Sequence, residues 1–300
     1  MTVTLSLRAR LFGPVCQLLL QPVLAKPAEQ MRPQLDAIAR LITRIPRGTT
    51  ISPTMLGARP AEMLTPAKLE SDTVIYYLHG GAYLGGSPRS HRGMLAHFAK
   101  AAGCKVIALD YRLAPEDPYP APLEDAVAGY KALLAQGIPA SKIVIAGDSA
   151  GGNLSIVTAI ALRDGGLPSP AGLVLLSPWT DLSSSGRSMG SRAERDRILT
   201  VLGISKAAEV FANGRKLTDP LLSPLFADLK GLPKMLIQVG DDEVLLDDST
   251  RFAAAARKAG VDVTLDVKPK LWHVWQILAG WMPEADDAVE EMGAFVRAVV

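Results

Sequence analysis

Short apolar runs alternate along the chain with longer segments of helical period. The runs are Val74–Leu78, Val106–Leu109, Ile143–Ala146, Leu173–Leu176, Met235–Val239 and Val263–Val267. Helices fit between them at about 90–102, 122–136, 151–164 and 248–259, and Gly103, Gly137, Gly165 and Gly260 stand where helix C-termini belong. This rhythm predicts an α/β fold, a mostly parallel central sheet with helices on both faces. Before it, Leu35, Ile38, Leu41 and Ile42 recur at helical spacing within Met31–Ile45, closed by Pro46-Arg47-Gly48, so residues 1–47 read as a separate helical unit. Between Trp179 and Lys234 no strand pattern occurs. A polar stretch, Ser183 to Arg187, and a charged helical segment point to an inserted lid or binding loop around 183–218.

The N-terminus carries Arg8 and Arg10 before an apolar stretch from Leu11 to Ala25, with Val23-Leu24-Ala25 resembling a small-residue cleavage site. Pro14, Gln17, Gln21 and Pro22 break that stretch, which disfavours a signal peptide at 1–25 and a membrane span. A soluble amphipathic helix is the expectation.

Composition narrows the field. Of 300 residues, 48% are hydrophobic and 21% charged, ordinary for a chain with a substantial core and incompatible with global disorder. A net charge of +2 supplies no basic face for nucleic acid. Cys16 and Cys104 make no disulfide framework and, with four histidines, match no metal-ligand spacing. A cytoplasmic protein without metal, cofactor, nucleic-acid or membrane partner is expected.

The chemistry concentrates in a few places. Gly147-Asp148-Ser149-Ala150-Gly151 follows the run Ile143–Ala146 and opens a helix, the setting of a G-x-S-x-G nucleophile elbow. A serine on such a turn projects so that a base reaches it from one side and substrate from the other, while the flanking glycines remove side chains where strand and helix crowd. His79-Gly80-Gly81-Ala82-Tyr83 follows the first clear run. A small-residue loop there presents bare amides to a developing oxyanion. In this fold order an acid and then a histidine follow the serine, and only His273 lies downstream. Among Asp241, Asp242, Glu243, Asp247 and Asp248 any could orient it, although Asp247 and Asp248 read as the start of the next helix, capping its free N–H groups.

Together HGGAY, DYRLAPE (Asp110–Glu116), GDSAGG, SPWTDL (Ser177–Leu182), DPLLSP (Asp219–Pro224) and WHVW resemble the bacterial hormone-sensitive-lipase-like esterases, in the branch with GDSAG at the nucleophile. The resemblance spans about residues 70–275. It implies an α/β-hydrolase core over 48–300, a cap made by the 1–47 helices and the later insertion, and cofactor-free hydrolysis of short- to medium-chain carboxylesters. By that resemblance Ser149 is the nucleophile and His273 the base. The family pattern G-x-x-[D/E]-x-L-x-D, laid on Gly240, Leu245 and Asp247, puts the acid at Glu243, with Asp242 the alternative. The oxyanion hole carries over to the amides of Gly81, Ala82 and Ala150, with Gly80 less favoured. Ala82 stands where the family usually has glycine.

Asp110, Arg112 and Glu116 read as a structural ion-pair network, Asp148 as a hydrogen-bonding support, and Tyr83 as a wall of the substrate pocket. A lactone hydrolase or deacetylase with the same triad is the near alternative. A non-catalytic receptor on this fold typically lacks the histidine that is present here. Related esterases often pair through the last strand's edge, here Val263–Val267, so the resemblance makes a homodimer one possible assembly and leaves the oligomeric state open.

Overall fold

The computed structural model describes residues 5–300, so the first four residues of the 1–47 unit and of the 1–25 segment weighed as a signal peptide lie outside the described residues. Two helices lead, α1 (Leu7–Leu24) and α2 (Ala28–Ile42). A hairpin follows that the apolar pattern does not announce: β1 (Thr50–Leu56) and β2 (Arg59–Thr65). Its turn places Gly57 at φ +58°, a conformation glycine adopts without a Cβ penalty. Pro53 is tolerated because β1 lies at the sheet edge, where a missing N–H costs no ladder bond on the open side.

The six expected runs all form strands: β3 (Val74–Leu78), β4 (Lys105–Leu109), β5 (Ile143–Asp148), β6 (Gly172–Leu176), β7 (Met235–Gly240) and β8 (Val263–Lys268). Between them lie α3 (Pro88–Ala102), α4 (Ala121–Ala135), α5 (Ala150–Asp164), the one-turn α6 (Ser188–Ser191), α7 (Val201–Ala212) and α8 (Leu246–Lys258), and α9 (Pro283–Val299) closes the chain. Gly103 caps α3 in the left-handed region, as its place predicts. Gly165 ends α5 at φ −81°, and the left-handed turn falls one residue later, on Gly166.

The eight strands form one sheet in the order β1-β2-β4-β3-β5-β6-β7-β8; β2 is antiparallel to both its neighbours and the remaining pairs are parallel. Alternate residues of each inner strand serve opposite cores. Tyr76, Ile145, Leu175 and Ile237 pack with α4, α5 and α8. Tyr77, Val144, Val174 and Leu236 pack with α3 and α9. Both faces are covered, so the inner strands read as apolar runs without polar alternation.

The chain leaves β3 for β4 on one side and returns through α4 to β5 on the other. That reversal opens a crevice beyond the strands' carboxyl ends, the usual ligand position in such sheets. Register aligns the ends: Leu78 pairs with Gly147, and Asp148 with Leu176. Among the described residues no helix is long and apolar enough to cross a membrane.

Candidate active site

Ser149 sits between the last residue of β5 and the first of α5 with φ +53° and ψ −119°. A non-glycine residue there is strained by about 1–3 kcal/mol and persists only where its surroundings over-determine it. They do. Its N–H donates to Leu176 O at 2.8 Å, and its carbonyl accepts from Asn153 and Trp179 N–H. A Cβ on Gly147 would meet Gly151 O at 2.3 Å, and one on Gly151 would meet Leu78 O at 2.0 Å. Strand, turn and helix approach each other through these two glycines.

The loop after β3 is fastened to the elbow by Asp148. This buried carboxylate accepts from Gly80 N–H at 2.9 Å, from the Tyr77 hydroxyl at 2.6 Å and from His91 Nε2 at 3.3 Å. Burial opposes its charge, but the His91 imidazolium and these hydrogen bonds outweigh it and hold Asp148 at about 2. His91 is correspondingly raised above its ordinary value, the Asp148 charge overcoming burial. His79, buried and stacked on Tyr111, is pushed down to about 3 by desolvation and by His91, so it is neutral.

Gly80 N–H is therefore committed to Asp148. The N–H groups of Gly81, Ala82 and Ala150 donate to no acceptor among the described residues. Gly81 and Ala82 border the same cavity as Ser149. Ala82 adopts φ +56°, in the left-handed region, at a cost of roughly 1–2 kcal/mol over glycine.

His273 Nδ1–H donates to Glu243 Oε2 at 2.7 Å, which fixes the tautomer and leaves Nε2 free to accept. The other oxygen, Oε1, accepts from the Ser177 hydroxyl at 2.8 Å and from Gly240 N–H at 2.6 Å. Asp242 turns the other way, 3.5 Å from Arg195. Behind Glu243, Asp196 from the insertion accepts from Val244 N–H at 2.8 Å. Burial lowers the His273 imidazolium's stability, but the Glu243 hydrogen bond and charge, with Asp196 and Asp148 beyond, raise its pKa above the ordinary value. Asp247 and Asp248 do open α8, yet their carboxylates accept from Ser188 and Asp181 N–H. Asp247 holds the insertion at Ser188, Asp248 holds Asp181 just before it, and neither caps its own helix.

Ser149 and His273 share a cavity of about 160 Å³. Its floor is the glycine loop after β3 (Gly80, Gly81, Ala82, Gly86) and the elbow. Its apolar walls come from α1 (Cys16, Leu20, Leu24) and α2 (Leu35, Ile38, Ala39, Ile42), with Ile198, Leu199 and Ile204 from the insertion. The Arg32 guanidinium pins α2 over the loop, donating to Leu84 O at 2.8 Å, to Ala114 O at 2.7 Å and to both oxygens of Glu116.

Tyr83 departs from expectation: it is fully buried outside the cavity wall. Its ring stacks on Phe211 at 3.6 Å between centroids, and its hydroxyl donates to Asn153 Oδ1 at 2.7 Å. Its φ of +61° turns the side chain beneath the loop into the core. Arg112 pairs with Asp125 at 2.8 Å, Glu116 with Arg32, and Asp110 offers its carbonyl to Arg59. Burial raises the Cys16 and Cys104 thiols to about 11 and about 12, so both are protonated and unreactive. Among the described residues no cluster of three or more His, Cys, Asp or Glu could hold a metal ion.

Sequence reasoning missed Ser177, Asn153, Asp196 and Arg32. Ser177, the first residue after β6, was the most accessible, since a hydroxyl at a strand's carboxyl end faces the crevice.

Comparison with known proteins fits this geometry. A family model for the alpha/beta hydrolase fold matches residues 75–277. An acetyl-hydrolase of Streptomyces hygroscopicus is 44% identical over 253 residues, covering 84% of this chain and 83% of that protein. An esterase of Acinetobacter venetianus is 35% identical over 270 residues, covering 90% and 88%. A crystal structure of an esterase from the bacterial hormone-sensitive lipase family superposes with a TM-score of 0.93 at 39% identity, covering 99% of each chain. The chain belongs to this esterase family, within the α/β-hydrolase fold. It is a carboxylic ester hydrolase. In this esterase the amide loop follows β3, the elbow joins β5 to α5, Glu243 follows β7 and His273 follows β8, all at the strands' carboxyl ends.

Proposed function

We propose that Ser149, His273 and Glu243 form the catalytic triad and that the substrates are esters of short- to medium-chain acids. The His273–Glu243 hydrogen bond, on a cavity that Ser149 also lines, carries the reading. His273 Nε2 takes the Ser149 proton as Oγ bonds to the ester carbonyl carbon. The resulting oxyanion accepts from the N–H groups of Gly81, Ala82 and Ala150, one such donor being worth about 10²–10³ in kcat. Collapse breaks the C–O bond to the alcohol, which leaves with the proton from His273. A water molecule then gives His273 a proton, attacks the acyl-enzyme and releases the acid as Ser149 is reprotonated. Glu243 holds the imidazole through its hydrogen bond to Nδ1–H.

Residues 1–47 and the 183–218 insertion act as the cap: both supply apolar wall, which supports an acyl chain over a charged group. A deacetylase reading is favoured by the relative named acetyl-hydrolase, and both readings use the same triad. The open edge of β8 supports a homodimer by strand pairing, tested by a light-scattering mass near twice 31.9 kDa.

Hydrolysis of p-nitrophenyl esters from acetyl to palmitoyl, with wild type beside Ser149→Ala, tests the proposal. A peak at short chains, abolished by the substitution, is expected. Activity that survives Ser149→Ala would overturn the assignment of the nucleophile, and a peak at palmitoyl would overturn the acyl range.

A further inference from the structure

Helix α1 is not amphipathic in the expected way. Its inner face is used: Ala9, Gly13, Cys16 and Val23 are buried, and Cys16, Leu20 and Leu24 line the catalytic cavity. Its outer face is apolar as well. Leu7 is 71% exposed, Leu11 61% and Leu18 76%, with Val15 beside them. The spacing 7, 11, 15, 18 puts these four on one side of the helix, with Pro14 and Pro22 also exposed there. A helix apolar all round is ordinarily covered on every side, and an exposed stripe of this kind marks an interaction surface.

The charge around the stripe selects what covers it. The only charged residues in α1 are Arg8 and Arg10, which flank the stripe, and Lys26 follows the helix; no acidic residue occurs between positions 5 and 28. Beside the stripe Arg8 and Arg44 border a groove of about 340 Å³ with Leu11, Phe12, Val15 and Trp281. Both arginines spend hydrogen bonds on backbone carbonyls, of Trp281 and Gly280, and neither is paired with a carboxylate among the described residues. Exposed leucines bordered by unneutralised cations match the boundary of an anionic lipid bilayer, where the apolar side chains enter the acyl region and the guanidiniums meet phosphates.

We propose that the outer face of α1 is a peripheral docking surface for anionic lipid, placing the cap, and the cavity beneath it, against the membrane. This revises the expectation of no membrane partner without requiring a span, and it is independent of the triad assignment because binding is read without turnover.

The test is co-sedimentation of the full chain with phosphatidylcholine vesicles, with and without phosphatidylglycerol, for wild type, Leu11→Ser/Leu18→Ser and Arg8→Gln/Arg10→Gln. Hydrolysis of soluble p-nitrophenyl butyrate serves as the check on folding, since none of these four side chains lines the catalytic cavity. Binding that needs the anionic lipid, weakens with salt, falls about fivefold per arginine removed and is lost in the double serine variant is the expected result. Binding unaffected by both variants, or absent from anionic vesicles, overturns the proposal. So does a wild-type dimer that the serine substitutions convert to monomer, which would show a second copy as the occupant.

Discussion

Glu243 and His273 meet through a 2.7 Å hydrogen bond from Nδ1–H to Oε2, whereas Asp242, one residue earlier, faces Arg195. Adjacent carboxylates leave the end of β7 in opposite directions. Only one of them reaches the imidazole.

Glu243→Gln is expected to lower kcat by about 10³–10⁴-fold, because the amide no longer fixes the tautomer or stabilises the imidazolium. Asp242→Asn should leave kcat within about twofold, as loss of an exposed pair has little effect. Steady-state kinetics on one soluble ester compares them; equal losses would sink the assignment.

The acid limb of the pH–rate profile follows from the same pair. The neutral imidazole is the proposed base, and Glu243 raises the His273 pKa above 6.5. Activity should therefore fall as pH drops through a value above 6.5, and in Glu243→Gln the residual activity should show its limb displaced to lower pH. A limb that does not move would mean another group titrates there.

The His91–Asp148 pair predicts a stability profile. Asp148 is depressed from 3.8 to about 2, so its contribution is present above 3.8 and lost as pH falls through about 2. His91 is raised above 6.5, so its contribution is present below 6.5 and lost as pH rises through the folded value. The stabilisation, on the order of 2 kcal/mol for the carboxylate, is greatest between these limits. Thermal unfolding of wild type and His91→Gln should differ most near pH 5 and converge in alkali. A difference independent of pH would contradict the pairing.

Tyr83→Ala should cost about 3–5 kcal/mol of stability, the usual loss for a large buried aromatic, and leave acyl-chain preference unchanged. Tyr83→Phe keeps the stacking on Phe211 but strands Asn153 Oδ1, at about 1–3 kcal/mol. Chemical denaturation together with the ester series separates the two effects, and a changed chain-length optimum in Tyr83→Phe would return the residue to the pocket.

Arg32→Ala should loosen α2 over the amide loop. Of its partners, Leu84 lies in the loop that forms the cavity floor, and Ala114, after β4, donates its N–H to Tyr83 O in that loop. KM for butyrate esters is expected to rise several-fold while kcat changes less, since no reacting atom is touched. A loss confined to kcat would argue against this role.

Local pattern alone determined the six strands β3–β8, the helices between them, the elbow and the one downstream histidine. Each is a short-range signal: an apolar run, glycines where backbone must approach backbone, and the order of serine and histidine along the chain. Resemblance to the esterases added the preference for Glu243, but spacing by itself left Asp242 open. Tertiary structure decided the rest because the deciding partners are distant in the chain. Asp242 is set by Arg195, and Gly80 is removed from the free amides by Asp148. Tyr83 belongs to the core because φ +61° and Phe211 put it there. The β1–β2 hairpin is held by pairing of β2 with β4, across some 45 residues, and its prolines hide it from any propensity reading. Likewise the apolar run of α1 announced a helix, but only its packing showed that one apolar face closes the cavity and the other meets solvent.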